Sequence, residues 1–64
     1  AMIKVGQRVT LSVGTQEDGK KREKVQGAAT CVYIHPKRRF AVFDFGWYRE
    51  SFTEAQLNDM GIQL

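Results

Sequence analysis

The chain has one cysteine, Cys31, and one histidine, His35, among 64 residues. A lone cysteine forms no internal disulfide, and one Cys with one His falls short of a four-ligand zinc site. No metal or other cofactor is expected. A core in a chain this short rarely supplies more than about 3–5 kcal/mol by itself. Tight β-packing or self-association must therefore make up the difference. Long apolar runs are absent too: no charge-free stretch approaches the roughly 18 residues of a membrane span. No internal repeat or low-complexity segment is visible, and no signal-peptide pattern opens the chain. With its single thiol, the expected setting is a reducing cytoplasm. Met2 reads as the natural start and Ala1 as a cloning remnant, so the expected unit is one domain over 2–64.

What is present points to a folded β domain. Hydrophobic residues make up 42% and charged residues 27%, too apolar a mix for a disordered tail. Arg8-Val9-Thr10-Leu11-Ser12-Val13 alternates strictly, the period of a half-buried strand, and Gly6 and Gly14 punctuate it. A polar loop over 14–24 follows, with a turn signal at Asp18-Gly19. Val25 to His35 reads as a second strand, stopped by Pro36. A tight connection at 36–39 leads to a third strand, Phe40 to Phe45. Across that connection Ile34 is expected to face Ala41, Val32 to face Phe43, and Thr30 to face Phe45, all toward the core. His35–Phe40 and Tyr33–Val42 then form the outward pairs. Gly46 and Trp47 turn the chain into a short fourth strand, Tyr48 to Phe52. Thr53 and Gln56 have the spacing of a capping box. The helical turn it opens carries Leu57 and Met60 and ends at Gly61, and Ile62-Gln63-Leu64 is a candidate fifth strand.

Four or five short strands, a long first loop, tight middle turns and a late helical turn resemble a small SH3-like barrel. The predicted fold class is accordingly all-β, with about five antiparallel strands and one short helical turn near the C-terminus. Phe43-Asp44-Phe45-Gly46, followed by Glu50, Phe52 and Leu57, is similar to the Tudor pattern. VGQRVTLSV with a basic loop behind it resembles KOW-type modules and, more loosely, Veg-type proteins. YRESF at 48–52 resembles a phrase of small phage and mobile-element proteins of Gram-positive bacteria. The Tudor resemblance implies a ring of aromatics around a methylated cation. No aromatic precedes Tyr33, however, so only Phe45, Trp47 and Tyr48 are available to build it.

Charge is unevenly spread. The first forty residues carry nine Lys and Arg against three acidic residues, and the last twenty-four carry one Arg against four. A basic side suits a polyanion, because phosphate contacts release counterions. Enzyme chemistry has little support. Cys31 and His35 would share a strand face about 13 Å apart, beyond hydrogen-bond reach. Asp44 and Glu50 flank a turn without a deep cleft, where Asp44 is better suited to accept backbone N–H groups. Gly14 and Gly19 lack the spacing of a phosphate-binding loop.

The leading expectation is a non-enzymatic nucleic-acid-binding accessory protein, with DNA or RNA as partner. Lys20, Lys21, Arg22, Lys24, Lys37, Arg38 and Arg39 would hold phosphates, while Tyr33, His35 and Phe40 offer rings beside them. The alternative is a protein-interaction or homodimerising module that uses Tyr33, Phe40, Val42, Trp47 and Tyr48. A third reading, a groove for proline-rich peptides, needs aromatics clustered at the rim.

Overall fold

The structure, a computed structural model, describes residues 2–15 and 23–64, the side chains of 13–15 and 23–25 excepted. The alternating segment forms β1 (Arg8–Thr15), and β2 (Glu23–Ile34), β3 (Phe40–Asp44) and β4 (Arg49–Thr53) follow. They make a four-stranded antiparallel sheet in the order β1-β2-β3-β4. β1 and β2 run further into the polar segment than their apolar patterns suggest, with Thr15 opposite Glu23. The Asp18-Gly19 turn expected there lies outside the described residues.

The all-β expectation holds, with one difference: the sheet stays open and is not closed into a barrel. Ile62–Leu64 does not add a fifth strand to the sheet. It makes one parallel bridge, Met2 to Gln63, with the Ile3 N–H on the Gln63 carbonyl at 2.9 Å. The outer edge of β1 meets the C-terminal turn instead, where the Ser12 N–H donates to the Met60 Sδ at 3.3 Å. The short helix α1 (Glu54–Asp59) covers one face of the sheet and inserts Leu57 into the core. Its start is the expected capping box: the Thr53 hydroxyl accepts the Gln56 N–H at 3.2 Å, and Gln56 Oε1 accepts the Thr53 N–H at 2.8 Å. Its end is a Schellman motif. Gly61, at φ +79°, donates to Asn58, and Ile62 donates to Leu57.

The core lies on the helix side of the sheet. Leu11, Ala29, Cys31, Ala41, Phe43 and Phe52 are buried there, closed over by Ile3, Leu57 and Leu64. Phe43 and Phe52 meet edge to face at 5.7 Å, a favoured aromatic geometry. Burial raises the pKa of the Cys31 thiol.

The third-strand faces match expectation, but half of β2 does not. Ile34 pairs with Ala41 and Tyr33 with Val42 as expected. Cys31, however, opposes Phe43, and Thr30 opposes Asp44. A β-bulge between Cys31 and Tyr33 leaves Val32 as the extra residue. Two residues of β2 there oppose one of β3, and a one-residue shift exchanges the faces. Thr30 and Val32 therefore leave the core, and Ala29 and Cys31 enter it. Small residues on that face make room for the rings opposite: a Cβ on Gly27 would lie 3.3 Å from the Phe45 ring. The same bulge separates Cys31, in the core, from His35, whose ring lies on the opposite face.

Phe43 is wholly buried at the centre of this core. Phe43→Ala should lower the unfolding free energy by about 3–5 kcal/mol, measured by urea denaturation. That is most of the stability available to a domain of this size.

Candidate nucleic-acid interface

Among the described residues nothing covers the face away from α1. Pairing and alternation assign to it Arg8 on β1, Thr30 and Tyr33 on β2, Phe40, Val42 and Asp44 on β3, and Arg49 and Ser51 on β4. Its aromatic part is a contiguous group. The Phe40 ring lies 5.0 Å from the His35 ring and 6.0 Å from the Tyr33 ring. Tyr33 is 46% exposed, which leaves it accessible to a stacking partner. His35 Nδ1 accepts the Lys37 N–H at 3.2 Å.

The cationic tip is built by the β2–β3 turn. The Arg38 N–H donates to the His35 carbonyl at 2.8 Å, and the His35 N–H donates to the Phe40 carbonyl at 3.0 Å. Pro36 supplies the fixed φ that opens such a turn. Arg38 then takes a left-handed conformation, φ 56°, the one positive φ at a non-glycine among the described residues. An L-residue there costs about 1–2 kcal/mol. Its Nη1 is buried without a hydrogen-bond partner, while Lys37 and Arg39 are exposed. Lys37, Arg38 and Arg39 thus sit beside the Tyr33–His35–Phe40 group.

Lys20, Lys21 and Arg22 lie outside the described residues. Lys24 is placed by its backbone opposite Gly14, at the far end of β2 from the tip. Ten residues of extended strand separate Lys24 from Ile34, about 33 Å. The Lys24 backbone is therefore remote from the tip.

The alternative interaction surface is divided. Tyr33, Phe40 and Val42 share the open face, whereas Trp47 and Tyr48 belong to the β3–β4 turn at the other end of β3. There Tyr48 stacks on Phe45 at 4.9 Å and 9°, and Trp47 lies 4.3 Å from Tyr48. Phe45 and Tyr48 cover one another's ring faces, so this gathering is not a cage around a cation. Trp47 projects beyond it, 85% exposed.

Asp44 fills the turn-stabilising role expected of it. Its Oδ1 accepts the Gly46 N–H at 2.7 Å, and its Oδ2 accepts from Arg49 Nε at 3.3 Å. The Gly46 N–H, together with the Arg49 guanidinium, holds the carboxyl below the usual carboxylate range. Arg49–Asp44 is the one ion pair among the described residues. Glu50 lies on the other face, opposite Phe43, so the two carboxylates do not converge.

One feature of the face escaped sequence reasoning. A concavity of about 350 Å³ opens at its Arg8 end, lined by Arg8, Ala28, Thr30, Val32, Asp44, Phe45 and Gly46. With Thr30 and Val32 expected in the core, the outward side of that part of β2 was expected to carry Cys31 instead. The alternation of Gly27, Ala29 and Cys31 was the available signal, since small residues fit beneath the aromatic rings of β3. Among the described residues no group of three or more His, Cys, Asp or Glu gathers to hold a metal, and no helix is long and apolar enough to cross a membrane.

Arg38 holds a conformation that glycine adopts freely. Arg38→Gly should therefore raise the unfolding free energy by up to about 1 kcal/mol in urea denaturation. A loss of stability would show that the arginine side chain holds the turn together. No protein family, curated protein or solved structure matches the chain, which leaves the chemistry of this face as the ground for its function.

Proposed function

We propose that the chain is a non-enzymatic nucleic-acid-binding accessory protein and that the open sheet face is its binding surface. The observation that carries this reading is the contact group Tyr33–His35–Phe40 beside a tip of three cations. None of those cations has an acidic partner among the described residues. Lys37, Arg38 and Arg39 hold phosphates, and Tyr33 and Phe40 offer rings to bases, worth about 1–3 kcal/mol per stacked base. Glu50 lies on the helix side of β4 and Asp59 on α1, and Asp44, the acidic residue that pairing assigns to the open face, is paired with Arg49. The strained arginine at position 38 fits the same reading, since strain retained at a surface turn points to a role outside folding. Lys20, Lys21, Arg22 and Lys24 add phosphate contacts to longer ligands.

The test is binding to oligonucleotides at several salt concentrations. Replacing Lys37, Arg38 and Arg39 together with Gln should reduce the slope of log affinity against log salt by about two to three units. Tyr33→Ala should weaken single-strand binding with little change of slope, because stacking releases few counterions. Absence of binding at low salt would overturn the proposal.

A second reading, a self-associating or protein-binding module, rests on Trp47, an apolar ring left 85% exposed. Such surface marks contact sites when it is part of a patch. If copies associate through this ring, light scattering should show a dimer that Trp47→Glu converts to a monomer. A carboxylate has no favourable place in an apolar contact.

A further inference from the structure

We infer that the concavity at the Arg8 end of the open face is a nucleobase subsite, in which Asp44 accepts from the amino group of a base and Arg8 holds a neighbouring phosphate. The inference rests on the nucleic-acid reading above and specifies it: the ligand is single-stranded, and its amino-bearing bases are preferred over thymine and uracil. Phe40 and Asp44 lie on the same face of β3, four residues apart, which is about 13 Å along the strand. A strand that stacks on Phe40 and Tyr33 can thus continue over Val42 into the concavity.

The lining has the composition such a subsite needs. At about 350 Å³ the concavity is of the size that small ligands occupy. Ala28 and Val32 offer apolar surface for a flat ring to lie against. Thr30 stands between Arg8 and Asp44 in the sheet register and offers a hydroxyl to either side of that ring. An ionised carboxylate has about four acceptor positions. Gly46 and Arg49 occupy two at Asp44, which leaves two for a ligand. Those contacts also fix the carboxylate in place and keep it ionised. A carboxylate accepts from the N4 amino group of cytosine. Thymine and uracil place a carbonyl oxygen at that position, which a carboxylate repels. Duplex is excluded as the preferred ligand, because a base must leave its stack to enter. Arg8 sits at the rim without an acidic partner among the described residues, placed for the phosphate that follows.

The experiment compares short oligo-dC and oligo-dT single strands, titrated by fluorescence anisotropy against the full chain. The parent should bind oligo-dC about fivefold or more tightly than oligo-dT. Asp44→Asn keeps an oxygen for the Gly46 N–H and should bring the two within about twofold. Ala28→Leu fills the concavity from an exposed strand position. It should also abolish the preference while its melting curve matches the parent's. Arg8→Gln should weaken both ligands alike and lower the salt slope by about one unit. Equal binding of the two oligonucleotides by the parent, or a preference that survives both Asp44→Asn and Ala28→Leu, would overturn the subsite and leave the nucleic-acid reading standing. No binding of either oligonucleotide would overturn that reading as well.

Discussion

The extra residue at Val32 is the constraint on which the rest of the structure depends. Below it, Ala29 and Cys31 point into the core, and above it Ile34 does. Without the bulge the face of β2 that packs at Cys31 would turn outward beyond it. Tyr33 would then be drawn toward the core and Ile34 toward solvent. With it, Cys31 lies under Phe43 while Tyr33 stands beside Phe40 on the other face. One inserted residue thus supports the hydrophobic core and assembles the aromatic group at once. Bulges are common where a strand must re-aim a side chain.

The open face follows from how the covered face is closed. Small side chains on β2 and large rings on β3 and β4 interlock, and Leu57, Ile3 and Leu64 seal them. The capping box and the Schellman motif fix the position of a helix of only six residues, too short to persist alone. The C-terminal turn then occupies the β1 edge through Met60, so the sheet does not close on itself. A single helix covers one face only, and among the described residues nothing covers the other, with its rings, cations and concavity.

Much of this was legible in the chain. Strict alternation marked β1, and β3 showed its core face through Ala41 and Phe43. Thr53 and Gln56 marked the helix start, and Pro36 the end of β2. Tyr33, His35 and Phe40 could be grouped because they lie next to the turn, where the register is counted over few residues. The bulge was not legible, since both Thr30-Val32-Ile34 and Ala29-Cys31 are acceptable strand faces. Only the volume of the rings opposite decides between them. Barrel closure failed for a related reason: Ile62-Gln63-Leu64 alternates like a strand, but the short helix before it directs the chain toward Met2. The concavity depended on the bulge and was hidden with it. The separation of Lys24 from the tip is a matter of strand length, which a basic run does not reveal.

The most direct measurement is a backbone amide chemical-shift map, recorded on ¹⁵N-labelled protein as a cytosine-containing single strand is added. The account predicts that shifts concentrate at Thr30, Val32, Tyr33, His35, Phe40, Val42 and Asp44 and at the tip residues Lys37 to Arg39. Leu57 and the rest of α1 beyond Glu54, whose N–H is bonded to the Arg39 carbonyl, should stay unmoved. Shifts confined to α1 and the β3–β4 turn around Trp47, or none at all, would contradict the claim that the open face binds nucleic acid.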